Sequence, residues 1–454
     1  MLIEPIGKSG KSAIVLGAGI SGLTVAYGLR QQGYDVCLID EYDHPGGNHI
    51  SDNIGGMTFD IGAIFLWGHS HLFNMFPSLR PLCVPVEWRT DRINPAGRVV
   101  SYPFDPRNEL WTGSPSGAVS VVASLFKHRL SPLKKDNARS YLTHYLGEEL
   151  LKVSGLESYI ERLYGLPSSE ISYEFASARL QYVERVTRPV QALTQLVRNA
   201  FNKSGPPDSQ CLARPAIGFS EFYKHAVSDL SELGVRTVLG ARLKSVYRER
   251  DTHIVETSDG DFVADRLVST IPLQHIGRLT GIDTSDVPSS LPLHSLYWKF
   301  KGKLGFIGPV LYNFQHHGAW KRLTLHSQYY GDVDDYSYFS TETTALPGAH
   351  LTPDDCERDF RESIKACDIL DGELELVGSR QTDFAYPLYD QTAAKRRNKI
   401  IGSLQDIGIE CVGRQGAFEY LPVAGIAIQK AQHYLEDTKD QQTAPETPDI
   451  VTPS

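Results

Sequence analysis

The sequence lacks the cysteine patterns that are typical of metal sites and disulfide frameworks. Its six cysteines are scattered, none belongs to a CxxC pair, and no histidines stand at zinc-finger spacing from them. Isolated cysteines in a chain of this size are typical of buried, reduced thiols. We therefore expect a cytoplasmic protein that has no structural metal and no disulfide.

Long apolar runs and an excess of basic residues are absent too. No segment approaches the roughly 18 consecutive apolar residues of a membrane-spanning helix, and the first residues contain no apolar core of secretory-signal length. Lys and Arg number 45 and Asp and Glu number 54, so the net charge is −9. Because nucleic-acid binding depends on clustered cations, we expect neither a nucleic acid nor a membrane as a partner.

The overall composition is that of a folded globular chain. The 454 residues are 41% hydrophobic and 22% charged. A single core rarely grows beyond about 250–300 residues, so this length predicts two or three packed units. The P-loop lysine pattern, the G-x-S-x-G elbow and H-E-x-x-H do not occur.

The strongest local signal lies between residues 12 and 40. An apolar strand is followed by Gly17, Gly19 and Gly22, a helix, and a second apolar strand that ends at Asp40. In such a βαβ unit the first glycine forms a tight turn, the second admits a pyrophosphate close to the backbone, and the third lets helix and strand pack closely. The acid is placed to accept hydrogen bonds from a ribose. The pattern therefore predicts dinucleotide binding.

A second glycine pair favours FAD over NAD as the cofactor. Gly46, Gly47 and Asn48 follow closely after Asp40, and plain NAD dehydrogenases do not as a rule carry such a pair. The segment resembles the FAD-binding pattern of the glutathione-reductase-like flavoproteins, which include amine oxidases, protoporphyrinogen oxidase and UDP-galactopyranose mutase. Amine oxidases usually have Arg after the glycine pair, whereas Asn48 and the preceding His44 resemble the mutases.

Further blocks, in the same order along the chain, resemble UDP-galactopyranose mutase; they are 60–63, 99–104, 159–165, 178–180, 214–218, 311–314, 320–322, 386–390 and 413–420. The resemblance covers residues 12 to about 435. It implies an FAD-dependent isomerase that interconverts a nucleotide-linked hexopyranose and its furanose form, here NDP-galactose and NDP-galactofuranose. Reduced flavin N5 attacks the anomeric carbon and displaces the nucleotide diphosphate, with no net redox change. The substrate partner is then a nucleotide sugar.

The resemblance also implies roles for individual side chains. Arg322, Arg179 and His69 are the expected catalytic residues, with the two arginines binding the diphosphate. The expected cofactor contacts are Gly17, Gly19, Gly22, Asp40, Gly46, Gly47, Asn48, Gly62, Arg414 and Tyr420. The expected substrate contacts are Tyr164, Asn313, Trp320 and Tyr386. A solvated surface charge is the alternative for each arginine, and a core or rim position is the alternative for Tyr386 and Tyr420.

The chain departs from the mutase pattern at three places. The mutases place His directly after Gly-Ala near the flavin, where this chain has Ile64, and the nearest histidines are His69 and His71. The acidic run of the C-terminal motif is replaced by residues 421–425, and Glu342 is not followed by the family's tyrosine. These changes put the identity of the nucleotide and of the sugar in doubt, so a nucleotide other than UDP, such as GDP, stays open.

The expected fold class is α/β, with a Rossmann-like FAD-binding domain, a helical insert and an antiparallel-sheet domain. We assign the FAD-binding domain to 11–106, 206–290 and 391–435, the helical insert to 107–205, the substrate sheet to 291–390, and a disordered tail to 436–454.

An FAD-dependent oxidase or desaturase of a small metabolite, similar to the amine oxidases, is the alternative function. A binding protein that keeps the fold without catalysis is a third interpretation. The base, the sugar and the oligomeric state, with a homodimer as one option, stay open at this point.

Overall fold

The computed structural model describes residues 4–5, 11–102, 115–180, 183–184, 210–345 and 348–443. The strands are β1 (Glu4–Pro5), β2 (Ser12–Leu16), β3 (Asp35–Asp40), β4 (Ser51–Ile54), β5 (Met57–Asp60), β6 (Leu66–Trp67), β7 (Val84–Val86), β8 (Thr90–Ile93), β9 (Val99–Tyr102), β10 (Cys211–Ala213), β11 (Arg236–Leu239), β12 (Leu243–Glu249), β13 (Thr252–Thr257), β14 (Gly260–Ala264), β15 (Arg266–Ser269), β16 (Ser290–Leu304), β17 (Val310–Asn313), β18 (Trp320–Leu325), β19 (Ser337–Thr344), β20 (Leu370–Pro387) and β21 (Ile409–Cys411).

The α-helices are α1 (Ile20–Gln31), α2 (Leu72–Met75), α3 (Pro115–Leu130), α4 (Ala138–Ser154), α5 (Leu156–Tyr164), α6 (Tyr173–Arg179), α7 (Phe219–Glu232), α8 (Leu273–Leu279), α9 (Ser327–Tyr330), α10 (Pro353–Ile364), α11 (Ala393–Asp406), α12 (Gly413–Gly416) and α13 (Ala424–Thr443), and a 3₁₀ helix spans Pro77–Leu82. Within the described ranges, none of these helices is long and apolar enough to cross a membrane.

A five-stranded parallel sheet forms the nucleotide-binding half of the fold. Its strand order is β11-β3-β2-β15-β21, and every neighbouring pair is parallel. β2 is buried along its whole length, as expected for a parallel strand that is covered on both faces. The sheet draws its strands from the two ends of the chain and from one middle segment. The predicted α/β fold class with a Rossmann-like domain is confirmed.

A seven-stranded mixed sheet forms the second half, in the order β20-β16-β19-β18-β17-β8-β9. Only β17 and β8 pair in parallel; the other neighbours are antiparallel. β8 and β9 therefore belong to this sheet, although they lie within 11–106, which the sequence assigned to the FAD-binding domain. The sheet and α10 share a core that includes Trp298, Trp320 and Phe360.

The helical insert contacts this sheet at the C-terminal end of β17. Gly155, in the left-handed conformation between α4 and α5, approaches so closely that a Cβ would lie 1.8 Å from the Phe314 carbonyl oxygen. Arg162 on α5 donates to the carbonyl oxygens of Asn313 and Gln315 at 2.7 and 2.8 Å. These contacts fix the position of α6, which follows and ends at Arg179.

The C-terminal helix is longer than the sequence indicated. Residues 436–443 were predicted to begin a disordered tail, but α13 continues to Thr443. This prediction was wrong for these residues, because the polar composition that suggested a tail also suits an exposed helix end. The remainder of the predicted tail, 444–454, lies outside the described residues, as does the end of the block 99–104.

The buried side chain of His326 joins β5 to β19. Its Nε2 accepts a hydrogen bond from the Asp60 N–H at 3.3 Å and lies 3.0 Å from Ser340 Oγ, and its Nδ1 lies 2.9 Å from the Tyr329 hydroxyl. Burial, assisted by the positive charge of Arg214, lowers the pKa of His326 well below its usual value. The folded protein therefore keeps the ring neutral at pH values where the unfolded chain takes up a proton.

From this difference we expect stability to decrease on acidification. Below the unfolded pKa of about 6.5, His326 alone should lower the free energy of unfolding by about 1.4 kcal/mol per pH unit. His326→Asn removes the titrating group, so urea unfolding measured between neutral and acidic pH should give a flatter profile for the variant. Parallel profiles of the two proteins would contradict this assignment.

Candidate functional site

The turn between β2 and α1 can be built only from glycine. Gly17 has a φ of +100°, and a Cβ on Gly22 would lie 1.7 Å from the Gly17 carbonyl oxygen. No side chain caps α1 at Gly19, and its first turn carries no acidic residue. The backbone N–H groups and the positive end of this helix are therefore suited to a phosphate group.

A second glycine turn packs directly against the first. Gly46 N donates to the Ala18 carbonyl oxygen at 2.9 Å, and Gly46 pairs with Gly19 in an isolated parallel bridge. Gly46 and Gly47 have φ values of +110° and +57°, and a Cβ on Gly47 would lie 3.1 Å from Gly19 Cα. The two glycine motifs of the sequence thus form one backbone surface with no side chains between them.

Asp40 stabilises this surface. Its Oδ2 accepts from Ala18 N at 2.5 Å and its Oδ1 from Tyr42 N at 2.8 Å, and burial raises the pKa of this carboxyl. A hydrogen bond that the same carboxylate accepts from a ribose hydroxyl stays a prediction. Asn48 extends from the second turn, where its Nδ2 donates to the Phe384 carbonyl oxygen at 3.4 Å.

A buried group of charges lies on the seven-stranded sheet. Arg322 on β18 makes a two-pronged ion pair with Glu342 on β19, Nε to Oε1 at 2.5 Å and Nη2 to Oε2 at 2.9 Å. Lys321 Nζ lies 3.7 Å from Glu342 Oε2, donates to Thr344 Oγ1 at 2.8 Å, and is 3.4 Å from the ring centre of Tyr386. The Tyr386 hydroxyl donates to Glu342 Oε2 at 3.3 Å. One carboxylate is therefore shared by two cations and a phenol.

A β-bulge brings the two cations together. Successive residues of a regular strand point to opposite faces, so Lys321 and Arg322 would normally diverge. Trp320 pairs with Thr343 and Arg322 pairs with Glu342, which leaves Lys321 as an extra residue in β18. Because a bulge re-aims side chains in this way, Lys321 and Arg322 both reach Glu342.

Two further arginines add positive charge to the group. Arg414 Nη2 donates to the Ala385 carbonyl oxygen at 2.9 Å, and its Cζ is 5.1 Å from the ring centre of Tyr386. Its buried Nε has no hydrogen-bond partner among the described residues, so this N–H group could donate to a bound ligand. Arg179 Cζ is 6.0 Å from the ring centre of Tyr420.

The protonation preferences follow from this arrangement. Burial lowers the pKa of Lys321 well below its usual value; the charges of Arg322, Arg414 and Arg179 act in the same direction, and Glu342 opposes them. Burial alone would raise the pKa of Glu342, but the Arg322 and Lys321 charges hold it below its ordinary value. We name Arg179, Lys321, Arg322 and Arg414, with their one carboxylate Glu342, the cation cluster.

The Gly62 turn connects the cation cluster to the nucleotide-binding half. A Cβ on Gly62 would lie 3.0 Å from Glu342 Oε1 and 3.2 Å from Arg322 Nη2, and Ala63 N donates to Glu342 Oε1 at 3.4 Å. Strained backbone borders the cluster as well, since Phe384 and Phe418 have φ values of +53° and +50°. Bulky residues rarely adopt this conformation, and such strain is concentrated at functional sites.

Six of the side chains predicted to act at the site are brought together. The Tyr386 hydroxyl donates to Glu342, the ion-pair partner of Arg322, and the Tyr386 ring lies 5.1 Å from Arg414 Cζ. Arg179 Cζ lies 6.0 Å from the ring centre of Tyr420. The ring of Phe175 packs at 4.4 Å from Tyr164 and 4.7 Å from Tyr420 between ring centres. The surface-charge alternative for the arginines is therefore not supported. The individual contacts of these residues with a ligand stay predictions.

Three predicted site residues lie elsewhere. Asn313 is fully buried and holds a turn, donating to the carbonyl oxygens of His317 and Trp320 at 3.3 and 3.0 Å. Trp320 is buried in the core with α10, where its Nε1 donates to Ser363 Oγ at 2.6 Å. Both predictions of a substrate contact were wrong, because the bulge and the turn direct these side chains inward. His69 is exposed and stacks on Trp67, outside the buried cluster, so its predicted catalytic role is not supported.

The sequence analysis missed Lys321 and the role of Glu342. Glu342 is the only charged residue in β19, Ser337–Thr344, which is otherwise built from aromatic, serine and threonine side chains. A single acid in a buried strand needs a cationic partner, and this signal was available in the sequence.

Comparison with known proteins supports a flavin site. Residues 15–79 match the family described as NAD(P)-binding Rossmann-like domain. Probable polyamine oxidase 4 of Arabidopsis thaliana is 25% identical over 58% of this chain and 50% of that protein. The 1-hydroxycarotenoid 3,4-desaturase of Flavobacterium sp. (strain P99-3) is 36% identical over 15% of each chain. The chain thus spans no more than half the length of these two relatives.

Solved structures match over nearly the whole chain. Reduced UDP-galactopyranose mutase superposes with a TM-score of 0.76 at 18% identity, covering 96% of this chain and 97% of that one. A putative protoporphyrinogen oxidase from Exiguobacterium sp. 255-15 gives 0.70 at 17% identity, covering 96% and 100%. The chain has the fold of the FAD-dependent oxidoreductases. FAD is the cofactor, as predicted, and the two glycine turns and the uncapped α1 of this flavoprotein fit its pyrophosphate.

Gly22→Ala is expected to abolish FAD binding in the flavoprotein, because the new Cβ would collide with the Gly17 backbone rather than with a movable side chain. The FAD content per chain of the purified variant, read from its visible absorbance, should be close to zero. Gly402→Ala is the matched control, since nothing lies within 4 Å of a Cβ in this position of α11. It should keep a full complement of FAD and gain about 0.5–1 kcal/mol of stability. A Gly22→Ala protein with normal FAD content would contradict the role of the turn.

Proposed function

We propose that this protein is an FAD-dependent mutase that interconverts the pyranose and furanose forms of a nucleotide-linked hexose, with NDP-galactose as the substrate class. The single observation that carries the proposal is the cation cluster. Four buried or half-buried basic side chains lie around a single carboxylate, Glu342, which contacts Arg322 and Lys321, so the site has a surplus of positive charge that a dianionic ligand would neutralise. The diphosphate of a nucleotide sugar has the negative charge that such a site requires, both for binding the substrate and for acting as the leaving group.

Each residue of the cluster has a distinct role in this proposal. Arg322 uses Nε and Nη2 for Glu342, and its remaining Nη1 is the donor for a phosphate oxygen. Arg179, at the end of α6, binds the diphosphate from the other side, and Lys321 stabilises the charge that develops as the bond from the anomeric carbon to the diphosphate breaks. The hydroxyls of Tyr386 and Tyr420 orient the sugar and phosphates by hydrogen bonds.

The two glycine turns and Arg414 would hold FAD, which in its reduced form would supply the nucleophile for the anomeric carbon. The protein excludes water from the cluster and holds the diphosphate nearby, so that the bond can form again after ring closure through a different hydroxyl. The reaction leaves no net redox change, because the cofactor ends in the state in which it began.

The experiment is an anaerobic assay of the purified holoenzyme. The protein is reduced with dithionite and incubated with UDP-, GDP- and dTDP-galactose, and the products are separated by anion-exchange chromatography. A furanose product that forms with reduced but not with oxidised protein is the expected result. The absence of a furanose product from all three substrates would refute the proposal.

An FAD-dependent oxidase or desaturase of a small metabolite is the second candidate. It is favoured by the sequence relatives, since a polyamine oxidase and a carotenoid desaturase are among them. Steady formation of hydrogen peroxide in air with an amine, or reduction of the bound flavin by an apolar substrate, would favour this function over the mutase.

A further inference from the structure

Helix α3 carries apolar side chains both on the side that packs against the protein and on an exposed side. One side packs on α4 and the core: Val121 is buried, Leu125 packs against the same core, and a Cβ on Gly147 of α4 would lie 2.8 Å from Ser124 Oγ. The other side carries Val119, Val122, Phe126 and Leu130, whose exposed fractions are 69%, 44%, 64% and 85%. Large apolar side chains exposed in a row mark an interaction surface rather than a core.

The four exposed residues form a continuous stripe. At about 3.6 residues per turn they fall within an arc of roughly 80°. The centre of this arc lies roughly 120° around the helix from Val121 and Leu125, so burying the stripe against α4 would require a large rotation of the helix. We call these four residues the α3 stripe.

Positive charge borders the α3 stripe. Residues 115–135 contain four Lys and Arg and no Asp or Glu, in a chain whose net charge is −9. Lys127 flanks the stripe on α3, and Lys134 and Lys135 follow in the turn after the helix; all three are exposed. Arg129, on the other flank, has its Cζ 4.6 Å from the ring centre of Tyr145. The whole-chain charge therefore conceals a local segment of the opposite sign.

We propose that the α3 stripe and its flanking lysines bind the surface of a membrane that contains anionic phospholipids. Apolar side chains on one face with basic residues along its edges are the pattern of helices that lie in the plane of the lipid interface. The apolar side chains enter the acyl boundary while the lysines, with long flexible stems, reach the headgroup phosphates. With 16 residues, α3 is too short to span the bilayer, so the contact is peripheral.

The charges argue against a second copy of this chain as the occupant. A twofold interface places the same patch of two subunits face to face, which would bring together four Lys and Arg from each copy, with Asp136 as the single acid in residues 115–136. An anionic lipid surface neutralises them directly. This inference does not depend on the proposed mutase activity, and it revises the expectation of no membrane partner that was based on the absence of long apolar runs.

The test is co-sedimentation of the FAD-loaded full chain with vesicles. Vesicles of phosphatidylcholine alone are compared with vesicles of phosphatidylcholine and phosphatidylglycerol in a 7:3 ratio. We expect binding to the anionic vesicles that is reversed by high salt. The double variant Lys134→Gln/Lys135→Gln should have a vesicle partition coefficient about 30-fold lower than that of the unmodified protein. The double variant Phe126→Ser/Leu130→Ser should lower this coefficient at least tenfold.

Ile307→Ser is the matched control, because Ile307 is an exposed apolar residue away from α3 (63% exposed); its binding should be unchanged. Thermal melting of each variant confirms that the surface substitutions leave the fold intact. Equal binding to both vesicle types, or no binding, overturns the proposal. A second result would also overturn the proposal: light scattering without lipid shows a dimer, and Phe126→Ser with Leu130→Ser converts it to a monomer. The α3 stripe would then bind a second copy of the chain and not a membrane.

Discussion

Replacing Arg214 with methionine is expected to lower the free energy of unfolding by about 3–5 kcal/mol. Arg214 and Asp60 form an ion pair at 2.7 Å with side chains that are 0% and 3% exposed. Arg214 also donates to the carbonyl oxygens of Thr58 at 2.9 Å and of Pro215 at 2.7 Å. Methionine fills a similar volume but leaves the Asp60 carboxylate and these carbonyls in the interior without their partner.

Lys224→Met provides the matched control, because the Lys224–Glu221 pair is just as close but about half exposed. Its effect should stay within about 0.5 kcal/mol. Adding Asp60→Asn to Arg214→Met should recover part of the loss, since it removes the unpaired charge. Chemical denaturation of the four proteins is the measurement, and an Arg214→Met variant as stable as Lys224→Met would contradict the expected cost of the buried charge.

The second large effect is expected at Arg322. Arg322→Lys should lower kcat of the proposed mutase about 100-fold, while FAD content and thermal stability change little. Lysine keeps the positive charge beside Glu342, but its single ammonium cannot make both hydrogen bonds to that carboxylate and still present a donor to the diphosphate. The steady-state rate of furanose formation is the readout.

Arg380→Lys is the matched control for this experiment. Arg380 on β20 makes the same kind of two-pronged ion pair with Asp52, Nε to Oδ2 at 2.6 Å and Nη2 to Oδ1 at 2.5 Å. It lies on an edge strand of the sheet and is not part of the cation cluster. The Arg380→Lys variant should keep a kcat within a factor of a few of the unmodified enzyme. If both lysine variants lose activity to the same degree, the effect at Arg322 would reflect general loss of structure and not a role in diphosphate binding.

The glycine turns and the parallel sheet could be predicted from the sequence because their signals are local. Gly17 needs a positive φ and Gly22 needs an empty Cβ position, and both needs arise from contacts within a few residues of the chain. The apolar runs at 12–16 and 35–40 likewise form buried strands wherever a Rossmann-like sheet is built. The resemblance to a mutase further placed Arg179, Arg322 and Arg414 correctly in one region.

Other features could not be read from local patterns. β8 and β9 were assigned to the wrong half, because a short strand carries no mark of the sheet it will join. Asn313 and Trp320 were expected to face a substrate, but the turn and the bulge in β18 point them into the core. His69 was chosen because it lies near the Gly62 turn in sequence, yet the chain between them carries it to the exposed side of Trp67.

The sequence by itself indicated the two glycine turns, the fold class and three arginines of the cation cluster, Arg179, Arg322 and Arg414. The tertiary structure alone decided that Lys321 joins Arg322 at Glu342, and that Tyr386 and Arg414 complete the cation cluster. The reason is physical: a backbone turn depends on the φ angles and side-chain volumes of adjacent residues. The face on which a strand residue lies depends instead on its pairing with another strand, as Arg322 pairs with Glu342 of β19, and a single bulge in that pairing reverses it.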